Sequence, residues 1–420
     1  MGCKILFLSI NKICKTKINI SMDSQFLMLC ARKSLGLNTM KFIYTVAVLS
    51  PILASAAFVM ELTLVPIVLP LLQTELDLTV QELARFYNVY GIAVAIAVLL
   101  GGYLGDTLGL LAVYIVGILL FIAGGVILTI AASELTFIMG RIVQGFGGGL
   151  FSPIVPVLLT SILSERPGKI LIIWGSVAGI IAAFAPILGG PLIAQYGWKT
   201  AFYIIAGLSV ISLFTLQQKY LQNSKVETFL LSDYRDLFSL QNIWLLYGYI
   251  FLTYGCIILF TFLLPLQLSH YGRTAIETGW IFAVLWLSFS GFSVILRNKI
   301  DGPHLRHVLL AAPVLIACSF LLLSEVDQFE MLILATVALG AGFACANAPS
   351  TTLVLRFAPT GTKGLASSVD ITFARLGAVS TVGLMAAFSM SHIVLVVCAL
   401  CALAFLCGLL YREALPELEA

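Results

Sequence analysis

The sequence predicts an all-α integral membrane protein of about twelve transmembrane helices in two six-helix bundles. Three observations predict it. Of 420 residues, 60% are hydrophobic and only 10% charged, whereas a soluble domain carries about 25% charged residues; a soluble fold of this composition would have no polar coat. Apolar runs near the ~20 residues needed to cross a bilayer as a helix recur twelve times. One polar stretch, 217–242, divides them six and six, the architecture of transporters built from repeats with the site between the halves.

The first six spans are read at 45–72, 86–104, 110–131, 137–159, 170–193 and 202–216. The second six are read at 243–268, 278–296, 308–323, 331–355, 365–388 and 393–410. The chain thus divides into a tail 1–43, a bundle 44–216, a linker 217–242, a second bundle 243–412 and a tail 413–420. Basic residues in short loops set orientation. Twelve lie on one side: Lys41, Arg166, Lys169, Lys219, Lys225, Arg235, Arg297, Lys299, Arg306, Arg356, Lys363 and Arg412. Only Arg85, Lys199 and Arg273 lie on the other. Both termini and the linker are therefore expected in the cytoplasm. The first ~40 residues hold no run of span length. Leu6 breaks the myristoylation pattern begun by Met1-Gly2-Cys3, and no small-residue cleavage site is present. This segment is expected to be a dispensable cytoplasmic tail or an upstream-extended start, with Met40 a natural beginning.

Charged residues inside a span cost roughly 2.5–3.5 kcal/mol on insertion scales, so they are default functional candidates. Four stand out: Glu61, Arg141, Asp370 and Arg375. At 1.5 Å per residue, Glu61 on span 1 and Arg141 on span 4 fall at similar depth in the outer half of the membrane. An acid and an arginine at one depth can pair, and a proton arriving at the acid would release the arginine, which is what a proton switch requires. The bland alternative is a static buried ion pair that fixes packing. Asp370 and Arg375 share span 11 but stand about 140° apart around a helix, so they do not face each other.

The string Gly145-Phe146-Gly147-Gly148-Gly149 lies inside a hydrophobic helix rather than between a strand and a helix, so it reads as close helix packing. Span 5 carries Gly175, Gly179, Pro186, Gly189, Gly190 and Pro191, a smooth face bent by prolines. Cys398 and Cys401 form a C-x-x-C within a solid apolar helix and read as small packing residues. The net charge of +3 is spread out, so no nucleic-acid patch is indicated. No H-E-x-x-H, G-x-S-x-G or Walker string is present, which argues against a membrane enzyme.

Several strings resemble signature motifs of the major facilitator superfamily, specifically its drug:proton antiporters. Gly102-Tyr103-Leu104-Gly105-Asp106-Thr107-Leu108-Gly109 resembles the G-x-L-x-D-x-x-G loop between spans 2 and 3. The family places basic residues after that Asp and that Gly, where this chain has Thr107, Leu110 and Leu111. Arg141-Ile142-Val143-Gln144-Gly145 is similar to the span 4 motif R-x-x-Q-G, implicated in proton coupling. Ala185-Pro186-Ile187-Leu188-Gly189-Gly190 resembles the end of the span 5 antiporter motif, G-P-x-x-G-G, with Ala before Pro. Gly197-Trp198-Lys199-Thr200-Ala201-Phe202 resembles G-W-R-W-x-F before span 6. Met60-Glu61-Leu62-Thr63 and Val68-Leu69-Pro70 resemble L-D-x-T-x-x-x-x-A-L-P of span 1, with Glu61 where Asp is usual. Leu264-Pro265-Leu266-Gln267 and Arg375-Leu376-Gly377 are familiar from the second half. The resemblance covers about 40–412.

It implies the MFS fold and proton-coupled efflux, by antiport and alternating access, of small hydrophobic or amphipathic compounds, a multidrug profile. The rival in the same class is an importer or exporter of one metabolite or siderophore; the rival outside it is a membrane sensor or enzyme. Glu61, Arg141 and Asp370 are the expected proton-coupling residues. Phe58, Asn88, Gln144, Trp174, Phe184, Tyr254, Phe262, Trp286 and Asn347 are the candidates to line the substrate cavity. Gly102, Asp106, Gly109, Gly145, Gly175, Gly179, Pro186, Gly189, Gly190 and Arg375 are the candidates for gating. No metal, cofactor or catalytic residue is expected; the proton gradient is the energy source. The expected partners are a small molecule, protons and the lipid bilayer, not nucleic acid, and the expected state is a monomer in the cell membrane, the inner membrane of a bacterium.

Overall fold

The computed structural model describes residues 37–131, 133–162, 167–216, 237–297, 299, 304–324, 329–359, 362–386 and 388–411. The first half holds α1 (Leu37–Glu75), α2 (Val80–Leu108), α3 (Leu110–Thr129), α4 (Glu134–Phe151), α5 (Ile154–Ile162), α6 (Pro167–Tyr196) and α7 (Lys199–Phe214). The second holds α8 (Gln241–His270), α9 (Ala275–Leu296), α10 (Leu305–Leu323), α11 (Phe329–Phe357), α12 (Lys363–Met385) and α13 (Met390–Leu410). The fourth and fifth helices are two parts of one span, broken at Ser152 and Pro153. A proline lacks the N–H that a continuous helix needs and crowds the carbonyl four residues back.

Ten of the resulting spans are long and apolar enough to cross a membrane. The other two complete the twelve: α7 is apolar but has 16 residues, and α12 has 23 residues but carries Lys363, Asp370 and Arg375. A charge facing lipid is costly, and Asp370 is accordingly buried inside the protein. Most helices start two to six residues before the predicted span, and at three of these starts a polar side chain, Thr79, Ser133 or Thr274, caps the first turn. Thr79 Oγ1 accepts from the Glu82 backbone N–H at 3.2 Å while Glu82 Oε2 accepts from the Thr79 N–H at 2.8 Å. Thr274 and Glu277 repeat this capping box at the start of α9. Both follow the T-x-x-E pattern of a capping box.

The glycine string of α4 is a packing device. A Cβ at Gly145 would lie 2.6 Å from the Tyr90 carbonyl oxygen, and one at Gly149 2.6 Å from that of Val94. Backbone against backbone leaves no side chain to move aside, so α4 can lie in this groove of α2 only with glycine there. Gly145, expected to act in gating, thus packs two helices of the same half. Gly145→Val is expected to lower stability by about 1–3 kcal/mol, the usual cost of overpacking, read as a lower melting midpoint in detergent.

Gly109 and Gly197 sit in turns at φ +85° and +84°, where a side chain would be strained. Trp198, next in the chain, is buried against Phe137 and Phe202 at ring distances of 5.9 and 6.0 Å. The predicted linker is shorter than its polarity suggested: Leu237 is fully buried, and Phe238 packs on Trp244 at 5.1 Å, so residues 237–242 belong to the second bundle. Residues 217–236, the tail before Leu37 and residues 412–420 lie outside the described residues.

Candidate functional site

The site begins with charge. Arg141 and Gln144 stand one turn apart on α4, hence on one face, and that face meets Glu61 of α1. Arg141 Nη1 donates to Glu61 Oε1, and also to Gln144 Oε1 at 2.9 Å. Gln144 Nε2 donates to Glu61 Oε2 at 3.1 Å, and Arg141 Nε to the Phe86 carbonyl at 3.4 Å. The guanidinium lies 4.2 Å from the Tyr90 ring centre. Glu61, Arg141 and Gln144 are 1%, 2% and 0% exposed, so the pair is sealed from solvent and each charge depends on the other.

Beside this cluster lies a pocket of about 20 Å³, lined by Glu61, Arg141, Tyr87, Asn88, Tyr90 and Arg375 among others. That is room for about one water molecule. It adjoins a cavity of about 670 Å³ between the halves, within the ~300–1,000 Å³ of small-molecule sites. Leu62, Tyr87, Ile258, Arg375 and Ala378 line both. The cavity wall is aromatic: Trp174, Tyr254, Trp286 and Phe343. Polar groups interrupt it, among them Asn347, Thr351, Asp370 and Arg375. Tyr254 donates to Asn347 Oδ1, Thr351 donates to Asp370 Oδ2 at 2.8 Å, and Trp174 Nε1 donates to Ser55 Oγ at 2.8 Å.

The halves meet backbone to backbone toward one end of the span. Pro186 and Gly190 of α6 meet Ala275 and Gly279 of α9. Asn88 Nδ2 on α2 donates to the Val379 carbonyl on α12 at 3.0 Å. By helix direction, both contacts lie on the side away from the basic loops. The cavity lining extends the other way, to Leu355 near the end of α11 and Ser367 near the start of α12. The space therefore opens on the side of the basic loops and is shut on the other.

The sequence candidates distribute unevenly. Trp174, Tyr254, Trp286 and Asn347 line the large cavity together with Asp370. Gln144 belongs to the ion pair instead, and Asn88 to the small pocket and the closed end. Two aromatics are corrected. Phe184 is 51% exposed, on the outer face of α6 where an apolar side chain meets lipid. Phe262 is fully buried against Tyr87 at 5.6 Å. Phe58 packs on Phe121 and Phe151 at 6.4 and 5.9 Å and meets the Arg375 guanidinium of the other half 6.0 Å from its ring centre. Arg375, read as a gate, lines both spaces.

Of the span 5 glycines, Gly190 is the tight one between halves: a Cβ there would be 2.8 Å from the Ala275 carbonyl oxygen. At Gly189 the neighbour is a Leu64 methyl of the same half, at Gly179 the Ser290 hydroxyl at an ordinary 3.4 Å, and at Gly175 nothing within 4 Å. Gly102 and Asp106 lie in the last turns of α2, and their surroundings are outside what the structure describes. Sequence reading missed Tyr87, Tyr90, Phe343 and Thr351. Tyr87 and Tyr90 are one turn apart, and Thr351 is one turn from Asn347, so shared faces were the available signal.

Two six-helix halves around a shared cavity are the arrangement in which membrane transport proteins hold their site. The sequence pattern of the Major Facilitator Superfamily matches residues 51–382, and the chain belongs to that family. Among curated proteins it is 29% identical over 155 residues to the multidrug resistance protein MdtL of Klebsiella pneumoniae, covering 36% of this chain and 40% of that one. It is 29% identical over 157 residues to the tetracenomycin C resistance and export protein of Streptomyces glaucescens, covering 37% and 29%. The matches thus span less than half the length of these relatives. Among solved structures, a nucleoside transporter, NupG, superposes with a TM-score of 0.72 at 15% identity, covering 87% of this chain and 100% of that one. A D-xylose-proton symporter does so at 0.71 and 14%, covering 89% and 98%; these likenesses concern the fold.

Proposed function

We propose that this transporter exports small hydrophobic or amphipathic compounds in exchange for protons. The observation that carries the proposal is the sealed Glu61–Arg141 pair one water-sized pocket away from an aromatic cavity. A proton reaching Glu61 cancels its charge and leaves Arg141 without a counter-charge in a place where an unpaired charge is costly. The cluster must then rearrange. Because Arg375 of the second half lines the same pocket, that rearrangement is felt across the interface between the halves. A cavity shaped by the two halves changes its opening when they move, which is how protonation would be tied to substrate movement.

The direction of transport rests on the relatives named for resistance and export and on the span 5 resemblance. Asp370 is proposed as a second ionisable group in the cavity, and the cell membrane as the site of action, with both termini on the cytoplasmic side by the basic-loop bias. The test is accumulation of a lipophilic cationic dye in cells with and without the protein. Expressing cells should hold less dye, and a protonophore should erase the difference. Proton-dependent accumulation above control would make the protein an importer. No change with any dye across a chemically varied set would favour a transporter of one narrow substrate.

A further inference from the structure

Asp370 and Arg375 are the charged side chains lining the large cavity. Asp370 is 7% exposed, and its one recorded partner is the neutral Thr351 hydroxyl. The Arg375 guanidinium carbon lies 6.0 Å from the Phe58 ring centre. Among the described residues, neither stands within 4 Å of an opposite charge. They do not serve one another: five residues on one helix separate them by about 140° and about 7.5 Å of rise. Glu61 lines the small pocket that Arg375 also lines, but its carboxylate is held in the ion pair with Arg141 and stands more than 4 Å from Arg375.

A charge at membrane depth is costly unless something compensates it. Here the protein supplies one negative and one positive charge to a single chamber. Asp370 lies toward the open mouth, near Thr351 and Ser367; Arg375 lies at the inner end, near Tyr87 and Ala378. The same chamber is lined by aromatic faces, including Trp286, whose indole N–H has no hydrogen-bond partner among the described residues. Resting on the reading that this cavity is the substrate site, we infer that the preferred substrate is an aromatic zwitterion. Its cationic group faces Asp370, its anionic group faces Arg375, and its ring system lies against the aromatic wall. A simple lipophilic cation compensates Asp370 and leaves Arg375 unmatched; an anion does the reverse.

The test uses the purified full chain in detergent and four compounds on one skeleton. They are an aminomethyl-biphenyl-carboxylate (zwitterion), its methyl ester (cation), its N-acetyl derivative (anion) and the doubly capped neutral form. Binding is read by quenching of tryptophan fluorescence, since Trp174 and Trp286 are in the wall. The zwitterion should bind at least about tenfold more tightly than either singly charged form, the lower range of a hydrogen bond to a charged group. Asp370→Asn should weaken the zwitterion and the cation by about tenfold and spare the anion. Arg375→Gln should weaken the zwitterion and the anion and spare the cation. Unchanged binding of the neutral form by both variants shows that the cavity is intact.

Equal affinity for zwitterion and ester, or an Arg375→Gln variant that still prefers the zwitterion, overturns the inference. So does an Asp370→Asn variant with wild-type selectivity, which would mean that Asp370 meets substrate as a neutral acid. These outcomes are separable from failure of the export proposal. Protonophore-sensitive dye efflux without zwitterion preference leaves export standing, and zwitterion preference without efflux leaves the cavity assignment standing.

Discussion

Glu61→Gln is expected to abolish proton-driven uphill efflux while leaving the protein folded in the membrane. Glutamine has nearly the same shape and its carbonyl still accepts from Arg141, but it cannot alternate between a charged and a neutral form. In proteoliposomes with an imposed pH gradient, uphill transport should fall to the level of liposomes lacking the protein, and its pH dependence should vanish. Counterflow exchange, which needs no net proton movement, should survive better. Breaking a buried ion pair by removing one partner costs about 3–5 kcal/mol, so the variant should also melt at lower temperature. The double change Glu61→Gln with Arg141→Gln separates the two effects, because it removes the orphaned charge. It should recover stability and not recover coupling. Uphill efflux by Glu61→Gln at the wild-type rate and pH dependence would remove Glu61 from the proton path and leave the pair as a packing element.

The second large effect is expected at Gly190. Leucine there would place a Cβ 2.8 Å from the Ala275 carbonyl oxygen and 3.4 Å from the Ile276 Cα. Both are backbone atoms of the other half, with no flexible side chain to yield. Overpacking of this kind costs about 1–3 kcal/mol, and it falls on the state in which this α6–α9 contact is made. That shifts the closed-to-open ratio on this side by roughly 5- to 150-fold. Gly190→Leu should therefore stop net export while the protein stays in the membrane. A cysteine placed at Thr261, in the cavity wall, should react faster with an impermeant maleimide added from the side away from the basic loops. Gly179→Ala is the control: its neighbour is the Ser290 hydroxyl at 3.4 Å, and it should transport normally. Unchanged labelling and transport in Gly190→Leu would show that the α6–α9 contact is not the closure.

The same numbers explain what was legible in the sequence at this helix. The run Gly175, Gly179, Gly189 and Gly190 announces a helix that approaches something closely, since small residues at helical spacing make a smooth face. Which glycine meets the other half is not encoded in spacing. Residues 189 and 190 are neighbours in the chain but about 100° apart around the helix, and one faces Leu64 of its own half while the other faces Ala275 of the opposite half.

What the sequence determined by itself was what the bilayer imposes on any chain. Hydrocarbon excludes unpaired backbone and charge, so apolar run length gave the spans, and the few charges left inside them, Glu61, Arg141, Asp370 and Arg375, named themselves as candidates. Helical rise alone brought Glu61 and Arg141 to one depth. Only the tertiary structure decided which faces of those helices point inward. Phe184 and Phe262 look as suitable for a cavity as Trp174 and Tyr254, because lipid, packed core and an apolar chamber all accept the same aromatic side chains. Arg375 was placed in the cavity by the packing of α12 against both α2 and α8, contacts between residues far apart in the chain. Periodicity carries no information about such contacts, since it records a helix's own geometry and not its neighbours.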